Sequence, residues 1–106
     1  MDISKLKGSN KKTGVCKLRF QGDMDIYAAE ETLAALLPYF DDFKTFSIEL
    51  DQVGEIDSSG IQLLLQCHRQ SQKSDGQLSI LSWSENVREL MEIFQLTERF
   101  TLPDAV

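Results

Sequence analysis

A chain of 106 residues with 42% hydrophobic and 26% charged side chains has the length of one domain and the composition of an ordinary globular protein. Two prolines, six glycines and two cysteines exclude a collagen, a low-complexity tail and a disulfide scaffold. A net charge of −6 argues against nucleic acid as a partner, because an acidic field repels phosphate backbones and anionic lipid heads.

The charge is unevenly spread. Residues 1–20 carry six basic groups against Asp2, a short stretch that reads as a solvated edge. Residues 22–57 carry ten acids against Lys44 alone, a field suited to steering a basic protein surface. No apolar run approaches the roughly 18 residues of a membrane helix, and Met1 to Lys7 lacks the apolar core of a secretory signal. The expectation is a cytoplasmic protein with no direct membrane insertion. Cys16 and Cys67 match no metal or redox spacing and read as buried thiols in a reducing compartment.

In chain order, Ile3–Leu6 predicts a short strand and Gly8-Ser9-Asn10-Lys11 a turn. Cys16, Leu18 and Phe20 alternate with Lys17 and Arg19, the pattern of a half-buried strand hairpin-paired to the first and closed by Gly22. From Ile26 the period becomes helical, with Ala29, Leu33, Leu36, Leu37 and Phe40 on the same stripe and a kink or end at Pro38. Phe46, Ile48 and Leu50 predict a strand ending at Asp51-Gln52-Val53-Gly54. Ile61, Leu64, Leu65 and His68 predict the cleanest helix, stopped by Gly76. Leu78 and Ile80 give a strand, and Val87, Leu90, Met91 and Phe94 a third helix. Its start is Ser84, or Ser82 with Glu85 as a capping box. Phe100–Leu102 adds a last edge strand.

The order β-β-α-β-α-β-α-(β) defines an α/β fold: a mostly parallel sheet with an N-terminal hairpin and helices packed on it. It is a single domain over residues 1–106, with 1–12 an edge strand and turn held least firmly.

Catalytic chemistry is poorly provided for. The one histidine, His68, sits on its helix's apolar stripe, and HExxH, CxxC and glycine-rich phosphate-loop patterns are missing from the sequence. A hydrolase using Ser58 would need His68 as base, about ten residues and almost three helical turns away. The chain therefore reads as no enzyme, with no catalytic residue, cofactor or metal.

One segment stands out: Glu55-Ile56-Asp57-Ser58-Ser59-Gly60-Ile61, between a strand and the cleanest helix. Asp57 or Ser58 suits the N-cap, which accounts for one polar residue. A glycine in the first turn costs helix propensity and signals a close approach to the backbone. A phosphate on a serine here would meet amide donors and the helix dipole, while Asp57 and Glu55 oppose its charge. Plain cap and phosphoswitch both fit this pattern.

The run Leu50 to Ile61 resembles the signature of STAS domains, the anti-sigma factor antagonists of bacteria. Leu18-Arg19-Phe20-Gln21-Gly22-Asp23-Met24-Asp25 is similar to the family's strand ending in G-x-(apolar)-D, and Ser84 to Met91 to its S-x-x-V-x-x-L helix. The resemblance implies partner switching. The unmodified antagonist binds an anti-sigma factor that is often a serine kinase, so freeing a sigma factor; phosphorylation ends binding and a serine phosphatase resets it. It places the phosphoacceptor on Ser58, with Ser59 as second choice. It also implies a partner surface of Asp25, Asp57, Ser59, Gly60, Ile61 and Gln62. The Gln62 to Gln66 stretch looks more like STAS proteins of chemotaxis and lipid-transport systems. The alternative is thus a constitutive subunit docking on a transport ATPase or a chemotaxis-type complex.

Overall fold

A computed structural model describes residues 1–96 as a four-stranded sheet with three helices, joined by one buried cluster. The strands are β1 (Asp2–Lys5), β2 (Val15–Met24), β3 (Thr45–Ile56) and β4 (Leu78–Trp83). The helices are α1 (Ala29–Asp42), α2 (Ser58–Lys73) and α3 (Glu85–Ile93). Spatial order follows chain order, β1-β2-β3-β4. β1 and β2 form the expected antiparallel hairpin, and the β2–β3 and β3–β4 pairs are parallel, so each is bridged by a helix. The expected Phe100–Leu102 strand lies outside the described residues.

Register explains why one face of the sheet is apolar. Cys16 and Leu18 pair with Phe46 and Ile48, which pair in turn with Leu78 and Ile80, and all six are buried. Leu36 of α1, Ile61, Leu64 and Cys67 of α2, and Val87 and Met91 of α3 complete the same cluster. The opposite face carries Lys17, Arg19, Ser47, Glu49 and Ser79, and Arg19 Nη2 donates to Glu49 Oε1 at 3.2 Å across neighbouring strands. Parallel sheets usually have both faces covered; a polar alternation lets this one leave a face in water.

The places of Ile26 and Leu37 on the α1 stripe are corrected. The helix begins at Ala29, and Ile26, placed on its apolar stripe by periodicity, is 66% exposed. Asp25 Oδ1 accepts from the Tyr27 and Ala28 amides, both at 3.1 Å, so the chain turns before it coils and the helical phase does not reach back to Ile26. At Pro38, where a kink or an end is expected, the helix does not end but runs on to Asp42. Pro38 cannot donate to the carbonyl of Ala34, but both residues are exposed and water can serve that carbonyl. Leu37, expected on the stripe, faces solvent beside it.

The remaining helices match more closely. α2 buries Gly60, Ile61, Leu63, Leu64, Cys67 and Ser71, so Leu63 and Ser71 join the apolar side, whereas His68 is only half-buried. Its end is made differently from expected: Asp75, not Gly76, takes the left-handed position with φ of 60°. Gly76 serves a close approach, because a Cβ there would collide with the backbone carbonyl of Lys44. α3 is capped by Ser84, whose Oγ accepts from the Val87 amide at 3.4 Å, while Ser82 instead donates to Asp51.

Both cysteines are buried free thiols. Burial pushes the Cys67 thiol up from its ordinary 9.0 to about 12. A raised folded-state value means that the native chain holds this proton more tightly than the unfolded chain. The corresponding stability is fully present below pH 9.0 and is lost as pH rises toward 12. Urea midpoints measured at about pH 8.5 and about pH 10.5 should fall further for wild type than for Cys67→Ala. Parallel slopes would contradict that assignment.

Candidate functional site

The C-terminal ends of β2 and β3 and the N-terminus of α2 converge on Asp57. This residue is the α2 N-cap: its Oδ1 accepts from the Ser59 amide at 2.9 Å and the Gly60 amide at 3.3 Å. Its Oδ2 accepts from the Ile26 amide at 3.0 Å, so one carboxylate holds both the helix start and the loop leading to α1. The Asp57 amide reaches the Met24 carbonyl at 3.4 Å. Asp25, the other expected acid, shapes that same loop through the Tyr27 and Ala28 amides.

Sequence reasoning attached no structural role to Asp23. Its Oδ1 accepts from the Glu55 amide at 2.9 Å and ties the end of β2 to the end of β3. Gly22, at φ 111°, allows the turn of backbone that delivers Asp23 and Met24 to these partners. Asn86 at the start of α3 donates to the Gly54 carbonyl at 3.0 Å and anchors the same corner from the other side.

Gly60 answers the expectation that something approaches its backbone, and the approaching group is internal. A Cβ at Gly60 would collide with the Met24 carbonyl oxygen and lie 2.8 Å from Ile56 Cγ1. Gly60 and Ile61, placed on the partner surface by the resemblance, are buried, with Ile61 only 1% exposed. They hold the helix against the core and so fix the position of their exposed neighbours Ser58 and Gln62.

The exposed groups are Ser58, Gln62 and, in part, Ser59. Ser59 and Gln62 line a shallow groove of about 340 Å³ between α1 and α2, with Ala29, Glu30, Leu33, Leu63 and Gln66 as its other walls. Beside Asp57, Ile26 and Tyr27 are 66% and 91% exposed. An isoleucine and a tyrosine are thus presented together to solvent on a hydrogen-bonded loop. Periodicity missed them because it read Ile26 as core; the Asp25 turn signal preceding them could have shown the loop.

The electrostatics are one-sided. Between residues 20 and 68 Lys44 is the only lysine or arginine, and it precedes β3 at the opposite end of the sheet from Asp57. Among the described residues no cluster of histidine, cysteine and acidic side chains could hold a metal ion. No helix of the described chain is long and apolar enough to cross a membrane.

Asp57→Ala tests the cap. Losing the acceptor for three amides should cost about 1–2 kcal/mol, seen as a fall of roughly 5–10 °C in melting temperature. An unchanged melting temperature would mean that water replaces the carboxylate without cost.

The STAS domain family model matches residues 9–106, and the chain belongs to that family. In structure it is similar to an anti-sigma factor antagonist from Mycobacterium paratuberculosis, with TM-score 0.77 and 20% identity over 99% of this chain and 88% of that one. It is also similar to SpoIIAA, an anti-sigma factor antagonist in its unphosphorylated form, with TM-score 0.71 and 20% identity over 99% of this chain and 90% of that one. For Bacillus SpoIIAA in the phosphorylated form the TM-score is 0.70 at 18% identity, over 98% and 93% of the two chains. A sulfate transporter family protein from Wolinella succinogenes gives 0.70 and 20% identity, over 88% and 79%. At these identities the likeness shows a shared fold.

Proposed function

We propose that the protein is an anti-sigma factor antagonist that works by partner switching, with Ser58 as the phosphoacceptor. In this reading the unphosphorylated chain binds an anti-sigma factor that is also a serine kinase and so frees a sigma factor. Phosphorylation ends the complex and a serine phosphatase restores it.

The observation that carries the reading is the division of labour between Asp57 and Ser58. Asp57 is consumed by three backbone amides, whereas Ser58, one residue on, is exposed at the first position of α2. A phosphate on Ser58 carries about −1.5 to −2 charges. A free helix N-terminus would welcome such a group. Here the Asp57 carboxylate already occupies the Ser59 and Gly60 amides, residues 45–68 hold no lysine or arginine, and Arg88 of α3 is paired with Glu85 and Glu92. The added charge finds those two amides taken and projects into whatever covers the helix mouth. Ile26, Tyr27 and the apolar groove beside Ser59 provide the rest of the docking surface, and desolvating a dianion against it is expensive. SpoIIAA has been solved both unphosphorylated and phosphorylated, which supports reading this chain as a modifiable antagonist.

Capture of partners from native lysate with the unmodified chain, followed by intact-mass analysis of the chain from its native host, tests this. A kinase-type partner and a host form heavier by one phosphate on Ser58 are expected. A permanent complex with a transport or chemoreceptor protein, and no phosphorylated form, would favour a constitutive docking subunit.

A further inference from the structure

The end of the molecule remote from Ser58 is basic, whereas the Ser58 end is acidic. The loop from β1 to β2, the first residue pairs of that hairpin and the approach to β3 bring together Lys5, Lys7, Lys11, Lys12, Lys17 and Lys44. Contacts join the segments that carry them. The Lys17 side chain lies within 3.3 Å of a Cβ built on Gly8, the Gly14 carbonyl accepts from the Lys44 amide at 2.9 Å, and Gly76 packs on the Lys44 carbonyl. All six lysines are exposed except Lys17, which is half-buried. Asp41 and Asp42 at the end of α1 are the acids among them, with Lys11 Nζ 3.6 Å from Asp42 Oδ2; the charges of Lys73 and Asp75 at the end of α2 cancel. The short basic stretch of the N-terminal sequence is thus enlarged by Lys44 into a pole.

The strand β3 measures the separation of the two poles. It runs twelve residues from Thr45, next to Lys44, to Ile56, next to Asp57, which at about 3.3 Å per residue puts them roughly 35 Å apart. That exceeds four screening lengths of about 8 Å at physiological salt. A flat anionic surface touching the basic pole would scarcely feel the acids at the other, so a net charge of −6 does not forbid contact. None of the large exposed apolar side chains among the described residues lies on the β1–β2 loop, at Lys44 or on the turn after α2. A protein interface would want an apolar centre there; charge alone suits a lipid surface.

We infer that this pole docks the protein on an anionic phospholipid membrane, by lysine–phosphate attraction and without insertion. Docked this way, the chain stands with Ser58, Ile26 and Tyr27 turned away from the lipid and open to a protein partner. The inference stands independently of which partner that is.

Sedimentation with vesicles of phosphatidylcholine containing about 30% phosphatidylglycerol tests it, in about 0.1 M and about 0.5 M salt. Lys7→Glu/Lys12→Glu is the informative variant, since both residues are exposed on the turn and loop after β1; circular dichroism checks its fold. Wild type should bind in low salt and be released in high salt, and the double variant should bind at least tenfold more weakly (roughly fivefold is expected per lysine lost). Ser58→Asp should bind like wild type. Several results would overturn the inference. They are no binding beyond that to phosphatidylcholine alone, equal binding by the folded double variant, or tighter binding to polyuridylate or polyglutamate at matched anion concentration.

Discussion

Aspartate in place of Ser58 should weaken binding of the captured partner by about thirtyfold, near 2 kcal/mol. Ser58→Ala should bind as wild type does and resist release by kinase and ATP. The reasoning is electrostatic and local. The aspartate adds one charge at the first position of α2, next to a carboxylate that has already taken the amides of Ser59 and Gly60. Two negative groups then share one helix mouth, and only one can be satisfied by it. The partner must either leave an uncompensated charge at its interface or stay away, and truncating or crowding a buried charge pair commonly costs a few kcal/mol. Stability should change little, because Ser58 is exposed and contributes nothing to the core. Binding that falls together with melting temperature would point to a disrupted helix start instead.

Alanine at Gly60 or at Gly76 should damage the fold more than any surface change. In both cases the new Cβ meets backbone: the Met24 carbonyl for Gly60 and the Lys44 carbonyl for Gly76. Neither carbonyl belongs to a movable side chain, so α2 must lift off the sheet at one end or the other. Overpacking of this kind costs about 3 kcal/mol or more, equivalent to a melting temperature lower by on the order of 15 °C. Gly54→Ala is the milder comparison, since its Cβ would meet Asp23 Oδ1 at 2.8 Å, a side-chain atom whose displacement loses only its hydrogen bond from the Glu55 amide. Thermal unfolding of the three variants should therefore separate Gly60 and Gly76 from Gly54. Equal, small shifts in all three would show that α2 seats more loosely than described.

The elements that could be read from sequence are those whose pattern and caps agree. β2 alternates cleanly, and α2 and α3 carry a polar cap followed by apolar residues at helical spacing, so local and tertiary preferences coincide. Reading failed where a side chain bonds to distant backbone. Ile26 looked helical because nothing in the sequence says that its amide is claimed by Asp57, thirty-one residues later. Asp23 looked like one acid among many because its partner, the Glu55 amide, is supplied by the neighbouring strand. Gly60 was legible as a close approach but not as an internal one, since only the pairing of β2 with β3 brings Met24 beneath it. The position of Ser58 was visible in the motif. That Asp57 takes the Ser59 and Gly60 amides beside it was not, because that depends on which way the carboxylate points.

Charge added at Ser58 meets helix-mouth donors already taken by Asp57 and so is felt by the partner. Titration calorimetry of that partner with chain phosphorylated stoichiometrically on Ser58, beside the unmodified chain, tests this most directly. Affinity should fall a hundredfold or more, about 3 kcal/mol, with the melting temperature of the free chain unchanged. Matching affinities for the two forms would contradict it.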